Sequence, residues 1–169
     1  MGFDATAIIC YGVRLDEDFE PPWGDGIDED DIEEWWMEVN GYKELPGVFT
    51  ETGSYTPELK AKIASLPRGS SARREHDIPE IDAYWDHHRA FKESMPSLPV
   101  GLEFFGHTDG HTESVLVVPG SVLREDWGPH DFEMPEVSDE AKAALLKFLE
   151  DHKIETDGEP RWMIGAYYG

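Results

Sequence analysis

Two periods of apolar residues run along the chain and divide it into elements. Residues 3 to 15, FDATAIICYGVRL, alternate by twos. Phe3, Ala5, Ala7, Ile9, Tyr11, Val13 and Leu15 fall on one side, and Asp4, Thr6 and Arg14 on the other. That is the pattern of a strand with one buried face. It puts Cys10 on the side opposite the main apolar set.

The period then changes. In DDIEEWWMEV, Ile32, Trp35, Trp36 and Val39 recur at helical spacing, with carboxylates at the N-terminal end where the helix dipole favours them. TPELKAKIASL carries a helix start, with Thr56 as cap, Pro57 in the first turn, and a stripe of Leu59, Ile63 and Leu66. PRGSSARREH reads as an exposed loop. A longer helix is predicted from Pro79 to about Met95, with Ile81, Tyr84, Trp85, His88 and Phe91 at three- and four-residue steps.

Two apolar runs, 100–106 and 114–118, flank a Gly- and Asp-containing connection and predict a hairpin. Residues 119–137 read as a long loop. SDEAKAALLKFLEDH is the clearest helix, capped by Ser138 with Ala141, Leu145, Phe148 and Leu149 inward. RWMIGAYYG predicts a last strand. The order β, α, β-hairpin, α, β is that of the split βαβ, or ferredoxin-like, arrangement. The expectation is therefore a single α+β domain over 1–169. It has a four-stranded antiparallel sheet, helices on one face, a helical insertion before the second strand, and its first and last strands paired centrally. Gly12, Gly106 and Gly165 leave gaps beside these strands, from a bulge or from something packed closely on the sheet.

Composition changes the picture chiefly through charge. Among 169 residues there are 37 acidic and 14 basic side chains, a formal net charge of −23. Such a surplus opposes binding to nucleic acid and to anionic membranes and favours basic partners. Six Trp, eight Phe and six Tyr supply a core that a disordered acidic chain would lack. The lone Cys10 forms no internal disulfide, and no apolar run reaches the length of a membrane span, which together fit a cytoplasmic setting. MGFDAT matches the myristoylation pattern formally, but no polybasic segment supports it.

The densest charge lies in residues 15–39, with twelve acids, three tryptophans and no Lys or Arg. A calcium loop would need glycine at its sixth position, and starts at Asp25 or Asp28 place Asp30 or Glu33 there. Beside a merely solvated face, the alternative is a partner-binding surface of Asp16, Glu17, Asp18, Asp28, Glu29, Asp30 and Asp31. In the opposite sense, seven of the fourteen basic residues fall within 60–92. They balance the protein's own carboxylates, or else Arg68, Arg73, Arg74 and Arg89 hold an anionic small molecule such as a nucleotide. His107, Asp109 and His111 surround the hairpin tip without the spacing of a metal motif, so no metal or cofactor is assigned. No nucleophile motif or acid–base pair is recognisable, so no catalytic residue is assigned and the chain does not read as an enzyme.

ATAIICYGVRL, GLEFFGHTDG and VLVVPGSV resemble segments of uncharacterised small acidic accessory proteins carried by bacteriophages, over about a third of the chain. The resemblance carries over no catalytic residue. It implies a small protein that binds and blocks a host component in the host cytoplasm, in some cases by imitating the charge of DNA. The acidic surplus makes a basic host protein, or a nucleic-acid-binding one, the expected partner. A small-ligand or nucleotide sequestering protein is the alternative.

Overall fold

The computed structural model describes residues 5–24, 29–67, 78–107, 112–126 and 133–168. The chain divides into two compact units. One comprises residues 1–35 and 97–169 and the other residues 36–96.

The first unit is built on a mostly antiparallel five-stranded sheet. Its strands are β1 (Ala5–Leu15), β2 (Gly101–His107), β3 (Thr112–Val117), β4 (Leu123–Asp126) and β5 (Thr156–Tyr168). Neighbours run β3-β2-β5-β1-β4, with an additional β1–β3 pairing. The first and last strands pair from Ala5↔Tyr168 to Leu15↔Thr156, as the sequence predicts. β2 and β3 form the predicted hairpin, and β2 meets β5 in parallel at Gly106↔Tyr167 and His107↔Tyr168.

The expected four strands are five, because residues 119–137 are not all loop. β4 lies within them. On the edge of β1 away from β5, β3 covers Gly12 to Arg14 and β4 covers Thr6 to Ile9. Between Gly12↔Val117 and Ile9↔Leu123 the partner strand swings out and returns. Tyr11, left without ladder partners there, accepts from Val118 N (2.9 Å) and donates to Ser121 Oγ (3.1 Å). Ser121 is 1% exposed. One buried hydroxyl thus stands in for the missing strand residue, and β4 continues the line of β3. Its residues, LRED, are too short and too charged to announce a strand.

The face of β1 that packs inward also differs from the expectation. Ile8 and Cys10 are buried with Phe105, Val115, Val117 and Met163 in one core cluster, while Ile9 and Tyr11 are only half-buried. Past Gly12 a bulge shifts the register against β5, and Val13, 1% exposed, turns inward instead. A bulge adds a residue and reverses which side chains face the core. Strict alternation across Gly12 therefore assigned the wrong face.

Two glycine gaps are filled by this chain. A Cβ on Gly12 would overlap the carbonyl oxygen of Leu116 and lie 2.9 Å from Val117 Cα, so β1 and β3 pass at a distance that only glycine permits. A Cβ on Gly165 would lie 2.8 Å from the ring of Phe105. That ring occupies the space, and its burial contributes about 2 kcal/mol.

Helix α1 (Glu29–Val39) follows the acidic segment. Trp23 and Trp35 pack with ring centres 5.5 Å apart, and Trp35 meets Phe148 edge-on at 6.0 Å. The second unit holds α2 (Pro57–Ser65) and α3 (Pro79–Ser94). Its core is Val48, Leu59, Ile78, Ile81 and Tyr84, flanked by Phe49 and Tyr55. Thr56 caps α2, as predicted, by accepting from Leu59 N, and α3 stops at Met95 before Pro96. In the first unit, α4 (Asp139–His152) is capped by Ser138 and buries Leu145 and Phe148. Among the described residues no helix is long and apolar enough to cross a membrane.

The close passage of β1 and β3 is open to test. Gly12→Ala should lower unfolding stability by about 2–3 kcal/mol, since the backbone carbonyl it meets has nowhere to move. Urea denaturation measures this. A midpoint equal to the parent's would show that the strands have room to spare.

Candidate functional site

Charge is divided unequally between the units. The sheet unit carries 27 carboxylates against 6 Lys and Arg, a net of −21; residues 36–96 carry 10 against 8, a net of −2. Together these make the −23 of the chain. The acidic surplus is thus a property of one unit.

Within that unit, an open cleft of about 1080 Å³ gathers Asp16, Glu17, Asp18, Glu20, Glu113 and Asp157. The end of β1 organises it. Asp16 Oδ1 accepts from Asp18 N (3.0 Å) and Asp16 O from Phe19 N (3.1 Å), which closes a tight turn. Asp16 N donates to Glu155 O (3.2 Å) and ties the turn to the approach of β5. Such Asx turns hold a short polar side chain against its own backbone. Glu17, Asp18 and Glu20 are left exposed. Asp157 arrives because it pairs with Arg14 across β5, and Glu113 because it precedes the β3 residues that pair with β1. Trp23, 8% exposed, lines one side.

Arg14 is the one cation among the described residues that line the cleft. Its Nε lies 3.2 Å from Glu113 Oε2, with the two side chains 40% and 48% exposed. At that exposure the pair contributes under about 1 kcal/mol, so it offsets little of the surrounding charge. Three of the residues assigned from sequence, Asp16, Glu17 and Asp18, are therefore brought together. Asp30 and Asp31 stand on the first turn of α1, Asp30 exposed and Asp31 half-buried, and neither lines the cleft. The Glu29 backbone begins α1, and Asp28 lies outside the described residues. Glu113 and Asp157 were missed because strand register, not sequence proximity, delivers them.

The basic stretch gives a different result. Arg68, Arg73 and Arg74 lie outside the described residues. Arg89 is exposed and pairs with Asp86 one turn back (3.1 Å), and Lys62 pairs with Glu80. The Lys62 ammonium holds the Glu80 carboxyl below its ordinary range. These two cations serve the unit's own carboxylates. Asp109 and His111 also lie outside the described residues, and His107 is described only as the backbone end of β2. Among the described residues no three His, Cys, Asp or Glu side chains are grouped as metal ligands.

A second polar group is buried in the sheet. Glu103, 5% exposed, sits within the apolar run GLEFF and accepts from Arg124 Nη2 at 2.8 Å. Cys10, fully buried, is pushed up to about 11 from an ordinary 9.0, first by burial and then by the Glu103 charge. A thiol held protonated is a poor nucleophile at neutral pH. The group is structural, and a carboxylate interrupting an apolar strand was its one visible sign. The chain matches no protein-family model, no curated protein and no solved structure.

The Cys10 environment sets a pH dependence. Below pH 9 the thiol is protonated both folded and unfolded and contributes no slope. As pH rises from about 9 towards 11 the unfolded chain loses its proton first, so stability falls. The parent should lose about 2–3 kcal/mol relative to Cys10→Ala across that window. Parallel denaturation curves at pH 8 and pH 11 would measure it, and equal losses in both proteins would contradict the assignment.

Proposed function

We propose that the protein is a non-enzymatic acidic binding protein whose carboxylate-rich cleft engages a basic, nucleic-acid-binding protein. The observation that carries this reading is the convergence of Asp16, Glu17, Asp18, Glu20, Glu113 and Asp157 on one cleft within a unit of net charge −21. A surface of this sign raises the local concentration of Lys- and Arg-rich segments and speeds their encounter. The half-exposed Arg14–Glu113 pair is weak enough for an incoming arginine to exchange onto Glu113. Trp23 is packed against Trp35 as a wall of the cleft, so the carboxylates are the recognition elements and the indole is their support.

The phage-type resemblance makes the partner a host protein met in the host cytoplasm. Blocking its nucleic-acid site would follow from presenting carboxylates where phosphates would sit. The pairings β5–β1, β1–β3 and β3–β2 fit a ferredoxin-like order with β4 as an extension of β3, and the parallel β2–β5 pairing departs from it. The nucleotide-binding alternative has less support. The sheet glycines Gly12 and Gly165 are covered by Leu116 and Phe105, and Arg89 is paired with Asp86.

A pull-down from bacterial lysate tests the reading. Retained proteins should be basic, and retention should fall steeply as salt is raised, because exposed charges are screened within about 8 Å at physiological ionic strength. The triple variant Asp16→Asn, Glu17→Gln, Asp18→Asn should lose at least tenfold in affinity, about 1.4 kcal/mol. Retention of nothing salt-sensitive, or equal retention by the variant, would remove the cleft as the binding site.

A further inference from the structure

The acidic cleft is also a fork between two strands. β1 and β3 pair from Gly12↔Val117 to Arg14↔Val115, and there their register ends. β3 stays paired with β2 as far as Gly106↔Thr112. Past the last shared pair both strands run on into the cleft wall, β1 as Leu15 and Asp16, β3 as Ser114 and Glu113. Among the described residues no strand pairs with Ser114 or Glu113 on the side of β1.

Backbone direction shows what that edge offers. In an antiparallel ladder alternate residues turn both N–H and C=O to the same side. Val118 N donates to Tyr11 O at 2.9 Å. Val118, Leu116 and Ser114 therefore turn towards β1, and Val117, Val115 and Glu113 towards β2. Ser114 thus presents its backbone to the cleft, beyond the last pair with β1. A stretch of sheet edge in this state is a template for another strand. Extended peptides exploit such edges, taking affinity from main-chain hydrogen bonds and specificity from alternate side chains.

Charge selects which strand fits. Six of the residues that line the cleft are carboxylates and one, Arg14, is a cation. Glu113 is exposed, on the edge stretch itself. Like charges directly opposite in a sheet are destabilising, so a second copy of this acidic edge is a poor match. A strand with Lys or Arg at every second position sets a cation opposite Glu113. Its intervening residues then fall opposite Ser114, where the hydrogen bonds form. A basic helix has already spent its backbone groups internally and gains nothing from that edge.

We infer that the partner enters the cleft as an extended segment with Lys or Arg at alternate positions, adding as a strand to the edge of β3 at Ser114. This rests on the proposed acidic binding role and specifies the conformation that the site reads.

Three short peptides of alternating lysine and valine, equal in charge, test the inference by calorimetric titration into the full chain. One is unmodified, one is N-methylated on its valines and one on its lysines. The valines are the residues that pair with Ser114, so methylating them should weaken binding at least tenfold, whereas methylating the lysines should leave it unchanged. In the complex with the unmodified peptide the Ser114 amide should also exchange with solvent at least tenfold more slowly, with Val115 unmoved. Equal binding of all three peptides, equal weakening by both methylations, or an unchanged Ser114 rate would overturn strand addition and leave the acidic site standing. Binding by none of them would overturn both.

Discussion

The passage of β1 between β5 on one edge and the broken β3–β4 line on the other is the constraint from which the rest follows. It depends on a backbone contact that only Gly12 allows, against the carbonyl of Leu116, and on the register shift that begins there. Before that point even-numbered residues face the core, with Ile8 and Cys10 fully buried. After it Val13 does. The same shift places Arg14 beside Asp157 and brings the turn at Asp16 to the mouth of the cleft. It also leaves Ile9 and Tyr11 on the outer face beside Ile164 and Trp162. Inner core, acidic cleft and outer apolar rows are three results of one local distortion.

The division of charge has a physical cost and a use. A net of −21 in one unit destabilises it by self-repulsion, and its pairs Arg14–Glu113, Lys142–Asp139 and Lys147–Asp151 are surface pairs of small value. The exception is the pair of Arg124 with the buried Glu103, where the contact offsets part of the cost of placing a carboxylate inside the sheet. Cohesion therefore rests on the apolar cluster of Ile8, Cys10, Phe105, Val115, Val117 and Met163, and on the aromatic contacts of Trp23, Trp35 and Phe148. With the core supplied by those groups, the carboxylates near Asp16 are left solvated and available. Residues 36–96 differ in kind, being nearly neutral, with cations such as Lys62 and Arg89 matched to adjacent acids.

Much of the fold was legible because it is encoded locally. The Thr56–Pro57 start, the Ser138 cap, the stop before Pro96, the hairpin and the pairing of the first and last strands are each visible in a few residues or in element order. The misreadings share one cause, that register is a property of two strands together. Alternation along β1 could not reveal the bulge, and LRED becomes a strand only because Ser121 bridges the interruption. For the same reason the candidate site was half legible. Asp16, Glu17 and Asp18 stand in an acidic run, whereas Glu113 and Asp157 reach them across the sheet. The strand glycines suggested space for a ligand, but Phe105 and the Leu116 carbonyl occupy it, because an empty Cα says nothing about what fills the gap.

The central claim is that the carboxylates act as a gathered site and not as a diffuse coat. Amide chemical shifts followed by NMR during titration with a short Lys- and Arg-rich peptide would test this directly. The account predicts saturable shifts confined to the turn at residues 16–20, to 112–114 and to Asp157, with residues 36–96 unmoved. Shifts spread evenly over the acidic positions of both units, growing without saturation, would contradict it.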